Sequence, residues 1–109
     1  MSTKTDYRFG EVHNLRDQVE IAADKVQSRR IFETENGGVA LMGFKAGQAL
    51  DTHLAPMEVM VTVLEGEIEF TMAGKANAMR AGEFLLMGAD VLHSVLAKTD
   101  AKVMLVKVR

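Results

Sequence analysis

"VMVTVLEGEIEFTM", residues 59–72, changes face at every step. Val59, Val61 and Val63 fall on one side of a two-residue period, with Met60, Thr62 and Leu64 on the other, which is the spacing of a β-strand. Both sides are apolar, so this strand must be covered on both. After Glu65-Gly66-Glu67 the alternation resumes, with Ile68, Phe70 and Met72 opposed to Glu67, Glu69 and Thr71. That second run has one apolar and one wet face, so the two solvated glutamates are read as surface groups. Gly66 marks the reversal, where a missing Cβ permits a positive φ, and Gly47 and Gly82 are read the same way.

Similar units lie on either side. "VQSRRIFET" (26–34) alternates, "ENGG" (35–38) is a hairpin signal, and "VALMGF" (39–44) is a continuous apolar run that stops at "KAGQ" (45–48). "AGKA" (73–76) predicts a further turn, and "NAM" (77–79) is too short to assign. "RAGEFLLMGADVLHSVLA" (80–97) supplies two short strands, and "AKVMLVKVR" sets Met104, Val106 and Val108 against Val103, Leu105 and Lys107. Many short strands joined by glycine-bearing turns predict an antiparallel sandwich or barrel with little helix. Residues 11–25 fit either period; a short helical turn capped by Asn14 is preferred. Residues 1–10 are polar and loosely held, with Tyr7 and Phe9 able to pin them to a surface.

Composition narrows the function. A chain of 109 residues, 48% hydrophobic, supports one core. Thirteen Lys and Arg stand against fifteen Asp and Glu, and Lys25, Arg29 and Arg30 have no interleaved aromatic platform, so neither nucleic acid nor a membrane surface is an expected partner. Cysteine is absent, which excludes thiol catalysis, thiolate metal sites and disulfides. The start lacks the apolar run of a secretory leader, and no apolar stretch reaches membrane-spanning length. A cytoplasmic location is expected.

Two histidines carry what chemistry the chain has. "KAGQALDTHLAP" and "RAGEFLLMGADVLHSVLA" echo each other, each with Ala-Gly, an apolar segment and a lone histidine, His53 in the first and His93 in the second. The spacing Gly47, His53, Ala55, Val59, Gly66, followed by Gly82, Gly88, Asp90, His93, Ala97, resembles the paired motifs of the cupin superfamily. The likeness spans residues 37–109, with "VLEGE" (63–67) and "RAGEFLLMGADVLH" (80–93) its clearest pieces.

The resemblance implies a single-domain cupin-type antiparallel β-barrel, a jelly roll, over residues 26–109, with residues 1–25 an N-terminal segment that is partly flexible or packed on the barrel or a partner. It implies a divalent transition metal (Fe, Mn, Ni, Zn or Cu) held by three histidines and a glutamate, and no organic cofactor. Here the middle histidine is Ala55 and the glutamate is Val59, leaving His53 and His93. Glu58 is one residue out of phase and is a conditional third ligand, aimed inward only by a bulge near Pro56. Asp51 and His13 are the other candidates for that place. Met57, Met60 and Met87 would suit a soft ion but read more simply as core filling.

The expected function is therefore small-molecule binding in a barrel pocket lined by His53, His93, Val59, Val61 and Met57, with a weak metal site as an option. Metal-free proton transfer by the two imidazoles is a further option. The alternative is a metal-dependent cupin enzyme, a dioxygenase, isomerase, decarboxylase or lyase acting on a small organic acid, phenolic compound or sugar; enzyme status stays open. Arg30, Lys45 and Lys75 could meet an anionic substrate but suit an ordinary exposed surface better. Two apolar faces on the 59–64 strand, and the habit of small cupins, point to a homodimer with residues 26–33 as the interface strand.

Overall fold

The computed structural model describes residues 2–109; Met1 lies outside the described residues. Nine strands follow one 3-10 turn, Leu15–Gln18: β1 (Gln27–Thr34), β2 (Gly37–Phe44), β3 (Ala49–His53), β4 (Glu58–Glu65), β5 (Glu67–Met72), β6 (Lys75–Arg80), β7 (Phe84–Met87), β8 (His93–Ala97) and β9 (Ala101–Val108). They form two antiparallel sheets, one ordered β1-β2-β9-β4-β7 and one β3-β8-β5-β6. This is the antiparallel two-sheet arrangement that the alternating runs predict and the jelly roll that the resemblance implies.

The core lies between the sheets. Val59, Val61 and Val63 are buried on β4 and meet Phe44, Ile68 and Phe70 among others. Met60, Thr62 and Leu64 face the other way and are half-buried. At the β4–β5 reversal Gly66 has φ 82°, and a Cβ there would stand 2.1 Å from the Asp100 carbonyl oxygen. No other residue fits that turn without backbone movement.

Three boundaries differ from the expectation. The turns at 35–38 and 73–76 tighten to Glu35–Asn36 and Ala73–Gly74, because Gly37, Lys75 and Ala76 already pair in their ladders. "NAM" thereby becomes the middle of β6. β3 carries no clear alternation, and its ladder to β8 supplies the order instead.

The N-terminal segment packs against the barrel. Asn14 caps the 3-10 turn through its side-chain oxygen, which accepts from the Arg16 N–H at 3.2 Å. Lys4 and Glu33 exchange backbone hydrogen bonds of 2.8 and 2.9 Å, and Gln48 Nε2 donates to the Ala22 carbonyl at 2.9 Å. Val19 is buried beside Gly43, whose lack of a side chain lets the Glu20 carbonyl approach β2. No helix among the described residues is long and apolar enough to cross a membrane.

Candidate functional site

His93 opens β8 and is buried, its ring stacked on Phe70 with centroids 5.7 Å apart and planes 17° from parallel. His53 ends β3 directly across the ladder, and the two imidazole centroids are 4.0 Å apart. This convergence depends on one extra residue. Ala49 and Leu50 pair with Leu96 and Val95, so a regular ladder would place Thr52 opposite His93. A bulge between Leu50 and His53 shifts the register and puts His53 there instead.

Each ring is then locked by its own backbone. His53 Nδ1 lies 2.8 Å from the Asp51 carbonyl oxygen, and His93 Nδ1 lies 3.0 Å from that of Val91. A carbonyl oxygen can only accept, so each Nδ1 carries the hydrogen. When the rings are neutral, Nε2 on each keeps its lone pair. The pair thus offers two acceptors for a donor group or an ion.

The rings border a cavity of about 340 Å³, walled mainly by apolar side chains such as Val59, Val61, Leu105 and Met87. Met57 lines it too, so all five expected pocket residues share one space. Its rim is tied across the two motif segments by Asp90, whose N–H donates to the Ala55 carbonyl at 2.8 Å. Asp90 holds φ 61°, a left-handed conformation that aspartate tolerates better than most residues.

The conditional ligands stay apart. The bulge that would aim Glu58 inward is not made: β4 runs in regular register from Glu58 opposite Val108 to Val63 opposite Val103, and Glu58 lines an outer groove with Met60, Leu86 and Val106. His13 is exposed and packs edge-on to Tyr7 at 4.9 Å, outside the cavity. Asp51 is exposed and serves His53 through its carbonyl. Among the described residues, no group of three or more His, Cys, Asp or Glu side chains is placed to hold a metal ion.

Of the cations named from sequence, Lys45 is paired with Asp100 at 3.1 Å and Lys75 is exposed, while Arg30 lines a groove beside the cavity. Glu67 and Glu69 make surface ion pairs with Arg80 at 3.4 Å and Lys98 at 3.7 Å, as their wet face implied. Among the site residues that the sequence did not single out are Phe70, which stacks on His93, and Lys107, which shares the apolar inner face of β9 with Val103 and Leu105 and lines the cavity. Its parity in the strand was the available signal.

A two-sheet barrel with a histidine from each paired motif at its mouth defines a cupin. The family model described as "Cupin domain" matches residues 40–109, and the chain belongs to that family. Among solved structures, a conserved protein of unknown function from Streptococcus pyogenes is similar at 27% identity and TM-score 0.89, over 100% of this chain and 96% of that one. An RmlC-like cupin protein from Desulfovibrio desulfuricans shares 32% identity over 90% of this chain and 95% of its own, with TM-score 0.80. A cupin 2 conserved barrel domain protein from Leptotrichia buccalis shares 34% identity at TM-score 0.85, over 89% of this chain but 47% of that longer one. The comparison with curated proteins found no match.

Proposed function

We propose that this cupin binds a small organic molecule in the barrel cavity, with the Nε2 atoms of His53 and His93 accepting hydrogen bonds from its O–H or N–H group. The apolar body of the ligand packs on Val59, Val61 and Met57. One observation carries the reading: two imidazoles 4.0 Å apart, each with Nδ1 committed to a carbonyl, border a predominantly apolar cavity. The test is titration of isotope-labelled protein with benzyl alcohol and with toluene, read at the histidine ring resonances. Benzyl alcohol should shift both rings and bind several-fold more tightly than toluene, a difference of about 1 kcal/mol for one hydrogen bond. Rings unmoved by about 10 mM benzyl alcohol would sink the reading.

The donor set falls short of a resident-metal site of the family type. Catalytic sites of that kind present three protein ligands, and here two imidazoles stand with Ala55 and Val59 where further donors would be. Two imidazoles can still hold a divalent transition ion weakly, so tag-free protein should carry far less than one equivalent per chain. Near-stoichiometric metal that disappears in His53→Ala and His93→Ala would replace the proposal with the metal-dependent enzyme reading.

Three further elements belong to the proposal. The functional unit is taken as residues 26–109, with the preceding segment a strap over the outside of the barrel. The chain is read as a twofold homodimer. Support comes from β1 at one edge of the five-stranded sheet, which Lys4 pairs only in part, and from exposed Phe84 and Leu86 at the other. A cytoplasmic setting is supported by the cysteine-free sequence.

A further inference from the structure

We infer that the cavity selects small carboxylates bearing a hydroxyl at the opposite end, and that Lys107 is the residue that meets the carboxylate. The inference rests on the binding reading above and names its ligand class. On the inner face of β9 the order is Ala101, Val103, Leu105, Lys107, three apolar residues and then a cation. Lys107 is half-buried and pairs in register with Val59, so its side chain leaves the strand on the cavity side.

Lys107 also lines a second, more polar groove, together with Arg30, Arg109 and Glu33. Ser28, Ala40 and Met57 border both spaces, so the groove adjoins the cavity. Among the described residues the ion pairs are Lys45–Asp100, Arg80–Glu67 and Lys98–Glu69, and none of them uses Lys107, Arg30 or Arg109. Glu33 is the carboxylate of the groove, and its backbone is bound to Lys4. Three cations share the groove with that one carboxylate, and a lysine on an apolar wall that no ion pair engages is a favourable seat for an anion. His53 and His93, on the β3–β8 sheet, offer acceptors and call for a hydroxyl, while Lys107, on the facing sheet, calls for a negative charge across a mainly apolar cavity.

The probes are 4-(hydroxymethyl)benzoate and its neutral carboxamide, titrated into the labelled protein. The acid should bind about tenfold more tightly than the amide, shift the His53 and His93 rings, and weaken with added salt while the amide does not. Lys107→Met keeps the aliphatic stem and should abolish the preference, so that acid and amide bind that variant equally; Lys107→Arg should retain it. If Lys107→Met does not fold, as judged by resonance dispersion, Lys107→Gln is read in its place. Equal binding of acid and amide, or an undiminished preference in Lys107→Met or the Lys107→Gln that replaces it, overturns the inference. So does failure of both probes to reach the histidines. In each of those cases benzyl alcohol binding decides separately whether the pocket reading survives.

Discussion

The two faces of β4 and β9 are nearly equal in hydrophobicity and unlike in fate. Inward, Val59, Val61 and Val63 stand beside Val103 and Leu105, and they are closed over by the second sheet. Outward, Met60, Thr62 and Leu64 stand beside Met104 and Val106 and are half-buried, covered near Gly43 by residues 19–20 but open toward Leu86 and Phe84. The difference teaches that alternation assigns residues to a face without saying what will cover it. Burial is decided by the partner layer, which this chain supplies fully inward and only in part outward.

The largest test of that contrast places one charge on each side. Val61→Asp buries an unpaired carboxylate in the core and should cost about 4 kcal/mol or more, enough to abolish cooperative thermal unfolding. Met60→Glu, one residue away, should change monomer stability by about 1 kcal/mol or less. If it also dissociates a dimer in sedimentation, the outer face is the contact surface. Equal damage from both would break the distinction.

A second pair separates depth from rim. His93→Ala removes a buried ring stacked on Phe70 and should lose about 2 kcal/mol of stability together with benzyl alcohol binding. His53→Ala should lose binding while its melting temperature stays within a few degrees, because His53 is exposed at the end of an edge strand.

Smaller still is Thr62→Val. The Thr62 hydroxyl is buried without a hydrogen-bond partner among the described residues, so an isosteric methyl should raise stability by about 1 kcal/mol in denaturant titration. The smallest effect lies outside both faces. Asp100 accepts from the Ala46 N–H at 2.9 Å and from Lys45, and these two bonds hold its carboxyl below the ordinary 3.8. The folded value is depressed, so its contribution is present above that ordinary value and fades as pH falls through the folded one. Asp100→Asn should therefore be slightly less stable than the parent at pH 6, with the gap narrowing below pH 4 in paired thermal melts.

The fold was readable because its signals are local. Val59–Met72 shows its period and its turn within a single stretch, and "RAGEFLLMGADVLH" repeats the lesson. The site was half readable. His53 and His93 were visible as residue types, but their meeting depends on one surplus residue in β3, and "ALDTH" gives no sign of which residue is surplus. The same logic governs Glu58, whose inward turn is conditional on a bulge near Pro56 that β4 does not make. Lys107 was hidden for the opposite reason: its local signal was present, but a lysine near the end of a strand suggests solvent.

Both rings are steadied by the carbonyl of the second residue before them, Asp51 for His53 and Val91 for His93. Their orientation is thus written into three consecutive residues and needs no distant side chain to aim it. Such a tripeptide is portable: moved to another strand mouth with similar backbone angles, it would carry its bare nitrogen with it, so new donors could be added around this rim one short segment at a time.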